Sequence, residues 1–71
     1  MPSEDALVVV GTVTESLANQ RFRVALEGNV TILAYLAGNL VRHRIRVVPG
    51  DAVRCELSPY DLTRGRIVRR E

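Results

Sequence analysis

A chain of 71 residues that is 46% hydrophobic has room for one small core and is too apolar for intrinsic disorder. It has no apolar run near the roughly 18 residues that span a membrane, and its single cysteine, Cys55, cannot form an internal disulfide. The net charge of +2 is unevenly spread: residues 1–41 set two arginines against four acids, and residues 42–71 set eight arginines against four. That asymmetry points the C-terminal half at an anionic partner.

In chain order, residues 1–5 read as a flexible N-terminal tail. Its acidic Glu4-Asp5 is unlike a signal peptide, so a reducing, cytoplasmic setting is expected. Leu7 to Thr14 is valine-rich and predicts a first strand, with Gly11 suggesting a bulge or sharp bend. Ser16 to Gln20 reads as a polar loop. Phe22, Val24 and Leu26 alternate onto one face of a second strand, and Gly28-Asn29 suits a tight hairpin into a third strand, Thr31 to Tyr35. Leu36, Leu40 and Val41 sit at helical spacing around Gly38, enough for one or two turns.

Beyond the helix, Arg44-Ile45-Arg46-Val47 alternates again. Arg42, Arg44 and Arg46 share a face if that segment is extended. Pro49-Gly50 matches the central pair of a type II turn. Val53, Cys55 and Leu57 alternate on the fourth strand, which Pro59 ends. Ser58 to Arg64 reads as a loop, and Arg64 to Arg69 as the last strand.

Strand, strand, strand, helix, strand, strand fits an all-β fold: a five-stranded Greek-key barrel of OB type with a short helix between strands 3 and 4. It would occupy residues 6–69, with 70–71 as a C-terminal end. An SH3-like barrel is the rival, but it usually lacks that helix. OB folds bind oligonucleotides on strands 2–3 and with the loops joining strands 1–2 and 4–5. Asn19, Arg21 and Arg23 fall on the first of these surfaces, and Tyr60 and Arg64 on the second. Arg42, Arg44 and Arg46 follow the helix, and Arg66 and Arg69 lie on the last strand. Gly65, between two arginines, would let an RNA backbone approach closely.

The three aromatics are too few for a stacking platform: Phe22 belongs to the inward alternation, leaving Tyr35 and Tyr60. Structured RNA is therefore the expected ligand. His43 has no second metal ligand near it, and Asp51 and Asp61 sit where turns ordinarily place aspartate. No nucleophile–base pair, phosphate loop or metal constellation is visible, so neither catalysis nor a cofactor is expected. A cold-shock-type single-strand binder or RNA chaperone is the alternative, and a protein-interaction module with incidental charge is a third reading.

Gly11-Thr12-Val13, Asn19, Phe22-Arg23-Val24, Leu33-Ala34-Tyr35, Gly38, Ile45-Arg46, Pro49-Gly50-Asp51 and above all Glu56 through Val68 resemble bacterial translation initiation factor one, nearly end to end. The resemblance implies a monomer when free that binds the A site of the small ribosomal subunit, touching rRNA and a ribosomal protein. It further implies that tRNA is kept from that site until initiation is complete, in cooperation with the other two initiation factors. By position, Arg46, Arg64 and Arg66 match basic residues of the family's RNA-facing surface. Asn19 and Arg23 match its strand 1–2 region, and Gly38 and Tyr60 border the site. The family usually has Leu-Pro-Asn at Leu17-Ala18-Asn19 and basic residues where Asn39 and Val41 stand. It usually has tyrosine at Arg44, so Arg42 and Arg44 are expected to restore the missing charge.

Overall fold

The computed structural model describes residues 6–71, so the expected tail at 1–5 lies outside the described residues. The strands are β1 (Leu7–Leu17), β2 (Arg21–Leu26), β3 (Val30–Leu36), β4 (Ala52–Ser58) and β5 (Asp61–Arg70), with one short helix, α1 (Gly38–Arg42), between β3 and β4. They close into a barrel in the order β1-β2-β3-β5-β4, antiparallel except for the β3–β5 pair. This is the OB-type architecture that the element order predicts.

The alternation of apolar residues turns directly into the core. Phe22 and Val24 of β2, Ile32 and Ala34 of β3, Val53, Cys55 and Leu57 of β4, and Ile67 of β5 are buried together with Val13. Leu40 of α1 and Val47 plug the barrel end beside the helix, with Ile45 packed against them. Each fully buried aliphatic side chain contributes about 1.5–3 kcal/mol relative to exposure.

Three segments depart from the sequence reading. β1 runs on to Leu17 because the bulge falls between Val13 and Glu15, not at Gly11, and the strand re-registers against β2 as Glu15↔Arg23 and Leu17↔Arg21. Gly11 is instead a close approach: a Cβ there would lie 2.6 Å from the Ala25 carbonyl oxygen. β5 starts at Asp61, because Ser58 pairs directly with Asp61 and leaves only Pro59-Tyr60 as the turn. Arg44 to Val47 is not extended strand. Arg42 ends α1 and Arg44 has φ 55°, so Arg42, Arg44 and Arg46 do not share one extended face.

Local chemistry explains the connections. Gly50, at φ 99°, takes the left-handed position of the Val48–Asp51 turn, closed by the Asp51 amide donating to the Val48 carbonyl. The β2–β3 turn is Glu27-Gly28-Asn29, with Gly28 and Asn29 both at positive φ. The end of α1 is a Schellman motif: the Ile45 amide donates to Leu40 O at 3.0 Å and the Arg44 amide to Val41 O at 3.1 Å. The accompanying apolar contact is supplied by Ile45 and Leu40, which belong to one cluster. Arginine thus occupies a left-handed position that glycine or asparagine usually fills.

Cys55 is fully buried, and desolvation pushes its thiol up from 9.0 to about 11. It is expected to resist thiol reagents in the native state, and Cys55→Ser to lower stability by about 1–3 kcal/mol through a poorly satisfied hydroxyl. Because the folded value lies above the unfolded one, this thiol's contribution is complete below pH 9.0 and declines as pH rises toward about 11. Fast labelling of folded protein would contradict the inward register of β4. Gly65 faces the same core, where a Cβ would lie 2.6 Å from Leu57 Cδ2 and 3.0 Å from Ile32 Cδ1. Gly65→Ala is therefore expected to destabilise by about 1–3 kcal/mol through overpacking, measured by denaturant unfolding.

Candidate nucleic-acid interface

With Phe22, Val24, Ile32, Ala34, Gly65 and Ile67 inward, the residues between them must face out. Strand register then assembles two parallel rows across β2, β3 and β5. One row is Arg21–Tyr35–Arg66, and the other is Arg23–Leu33–Arg64. Neighbouring strands lie about 4.8 Å apart and alternate residues about 7 Å apart, so four guanidinium groups surround the Tyr35 and Leu33 positions on one face. The parallel β3–β5 pairing is what brings Arg64 and Arg66, distant in sequence, beside β3 and onto the same face as the arginines of β2.

Each arginine of the face is tethered on one side. Arg66 Nη2 donates to Glu56 Oε1 at 2.6 Å, and Arg23 Nε donates to Glu15 Oε1 at 3.0 Å. Arg21 Nη1 donates to the Asn19 carbonyl at 3.2 Å. Arg64 is the loosest, 4.0 Å from Asp61 with a side chain 74% exposed. A guanidinium carries five N–H donors, so one tether fixes its orientation and leaves others for a ligand. Exposed pairs such as Arg23–Glu15 add little stability, about 0–1 kcal/mol, so their effect is chiefly on direction.

At the tip of the same face the Tyr60 ring is almost fully exposed, held in a turn where its amide donates to Ser58 Oγ. Asp61 beside it accepts from the Thr63 hydroxyl at 2.6 Å and the Thr63 amide at 3.1 Å. Those two Thr63 bonds, with a lesser contribution from nearby Arg64, hold its carboxyl below the usual range against the opposing effect of desolvation. Asp61 is thereby a turn anchor, as its position in the sequence suggested. Tyr35, Ser58, Arg64 and Arg66 line a shallow hollow between these groups.

A second cationic group gathers where α1 meets the end of β5. Asn39, Ile45, Arg69 and Arg70 line a hollow there, and Arg42, Arg44 and Arg46 are exposed nearby in the chain. Arg70 Nη1 donates to the Arg46 carbonyl at 2.7 Å, fixing the irregular segment to β5. Strict alternation from Gly65 and Ile67 would turn Arg69 inward. A bulge at Val68, where the pairing shifts from Cys55↔Ile67 to Arg54↔Arg69, turns it out instead. Arg69 and Arg54 then share Glu71, at 3.7 and 2.9 Å.

The structure therefore brings Arg21, Arg23, Arg64 and Arg66 together on one face. It gathers Asn39, Arg42, Arg44, Arg46 and Arg69 at the helix end, and β5 runs between the two groups. Asn19, at φ 61°, lies in the turn leading into β2, and Gly38 is the exposed first residue of α1. Gly65 is different: it is buried, and the space left by its missing side chain is filled by Leu57 and Ile32 rather than offered to a ligand. Two residues are absent from the sequence-based set. Tyr35 was recoverable from alternation against buried Ala34. Arg70 was not, because its bond to Arg46 spans 24 residues of chain.

The family model for translation initiation factor 1A / IF-1 matches residues 1–71. The solution structure of translation initiation factor one from the Wolbachia endosymbiont strain TRS of Brugia malayi is similar at 38% identity, with a TM-score of 0.81. The match covers 97% of this chain and 82% of that one. A barrel of this topology, arginine rows on its β2–β3–β5 face and a match over the whole chain lead to one assignment: the protein belongs to the translation initiation factor 1A / IF-1 family of RNA-binding, non-enzymatic factors that associate with the ribosome during initiation.

Proposed function

We propose that this protein binds rRNA at the A site of the small ribosomal subunit, keeps tRNA from that site prematurely, and cooperates there with the other two initiation factors. It is a cytoplasmic protein, monomeric when free of the subunit, with residues 6–69 as the RNA-binding domain. The observation that carries this reading is the pair of outward rows, Arg21–Tyr35–Arg66 and Arg23–Leu33–Arg64, joined along β5 to the helix-end arginines. Tethered guanidinium groups on a rigid sheet suit phosphates held in a fixed spatial pattern, as in folded RNA. The two exposed rings, Tyr35 and Tyr60, offer too little stacking surface for a sequence-tolerant single-strand binder.

Footprinting of isolated small subunits tests the placement. Protection is expected at the decoding helix, and protection confined to unrelated helices would contradict it. Affinity for subunits is expected to exceed that for free oligonucleotides by a wide margin. If about four or five phosphates are neutralised, log affinity falls against log salt with a slope of roughly −3 to −5.

Arg46→Ala and Arg64→Ala are expected to weaken subunit binding by about 1–3 kcal/mol each, with melting almost unchanged because both side chains are exposed. Arg54 is the internal control: it is half-buried on β4 and bound to Glu71, so Arg54→Ala is expected to affect binding less. Equal, small losses at all three would indicate a diffuse charged surface instead of a defined site.

Arg44 gives a sharper test, because its backbone and its side chain make opposite demands. Arg44→Gly relieves a left-handed non-glycine residue and is expected to raise stability by about 1 kcal/mol. The same change removes a guanidinium from the helix-end group and is expected to weaken subunit binding by at least about threefold. Higher stability with unchanged affinity would show that Arg44 does not meet the RNA.

A further inference from the structure

The barrel closes unevenly, and the gap has a chemistry of its own. β1 pairs with β4 over Leu7–Thr12 and with β2 over Thr12–Leu17, so among the described residues the two ladders overlap at Thr12 and part on either side of it. The orientation of the backbone groups along β1 follows from Val13. Its amide donates to Asp51 O and its carbonyl accepts from the Gly50 amide, both on the β4 side. Backbone direction alternates along a strand, so Leu7, Val9 and Gly11 also address β4. The N–H and C=O groups of Val8 and Val10 therefore point to the other edge, where the β2 ladder has already ended at Thr12↔Ala25.

Beside this open edge lies a group of exposed apolar side chains. Leu7, Val8, Val10, Val30 and Leu62 are each about half exposed or more, and half-buried Leu26 forms the opposite wall. Two hollows, one at the barrel mouth and one running back past Gly11, share Val10, Leu26 and Glu27 and lie side by side along this edge. Among the described residues, Glu27 is the sole charged residue lining either hollow, and no arginine lines them. The α1 end of the barrel is plugged by Leu40 and Val47, whereas this mouth has no comparable plug among the described residues.

We propose that the Val8–Val10 edge and its groove form a docking site for an extended segment of a partner protein that alternates apolar and basic residues. The segment adds as a strand to the free edge of β1 and takes hydrogen bonds from and to Val8 and Val10. Its apolar side chains enter the groove lined by Leu26, Val30 and Leu62, and its basic residue meets Glu27. The charge selects the occupant. A second copy of this chain placed edge to edge would bring two Glu27 carboxylates to one apolar groove, whereas a lysine or arginine there is complementary. The site is separate from the arginine rows and does not depend on the rRNA reading.

The test is NMR of the full chain with an acetylated octapeptide alternating valine and lysine, compared with one alternating valine and glutamate. The valine–lysine peptide is expected to slow exchange of the Val8 and Val10 amides by at least about tenfold at saturation and to shift signals at Leu26–Val30 and Leu62. Glu27→Lys, a change at an exposed turn residue, is expected to reverse the preference between peptides. Val8→Pro removes the donor on the free edge while leaving the β4-facing groups intact, and is expected to weaken binding at least about tenfold in a chain that stays folded. No protection at Val8 and Val10, or shifts confined to the arginine rows, would overturn the proposal. So would concentration-dependent protection without peptide, which identifies a second copy, or protection lost on removing residues 1–5, which identifies the chain's own terminus.

Discussion

Gly65 is the position at which the barrel and its arginine face constrain each other most tightly. β5 must pair with β3 on one side and β4 on the other, and the point where it crosses the core leaves no space for a side chain between Leu57, Ile32 and the Glu56 carbonyl. Once Gly65 is fixed inward, Arg64 and Arg66 are fixed outward, next to Leu33 and Tyr35 and one strand from Arg23 and Arg21. Core closure and guanidinium presentation are the same geometric fact. A one-residue slip of β5 would put two arginines into the core and a glycine on the surface.

Acidic neighbours complete the arrangement. Glu15, Glu56 and Glu71 each hold an arginine of the basic surface or its margin. They reduce the net charge while restraining long, flexible side chains, which lowers the entropy lost when a phosphate is bound. Such restraint is in keeping with membership of an RNA-binding initiation factor family.

Much of this was legible in the residues. The alternation of Phe22 with Val24 and of Val53, Cys55 and Leu57 sets the strand faces, Pro49-Gly50 fixes a turn, and the arginines mark the surface. What escaped depends on partners. The Val68 bulge exists only in relation to β4, so sequence parity alone would have sent Arg69 inward. Arg44–Val47 alternates like a strand, but the Ile45–Leu40 contact and the Schellman bonds capture it as a helix end. Gly65 was visible as a glycine between arginines, yet only the packing of Leu57 and Ile32 shows which side needed the space.

The proposed function requires one contiguous face, from Arg21 and Arg23 across Tyr35 to β5 and the helix end, to receive the RNA. Backbone amide shifts of the labelled protein, titrated with a hairpin carrying the decoding helix of small-subunit rRNA, address it most directly. The largest changes are expected at 19–23, 33–35, 39–46, 60–66 and 69–70, while 7–10 and 26–30 stay still. Changes concentrated at the Val8–Val10 edge, or spread evenly around the barrel, would contradict it.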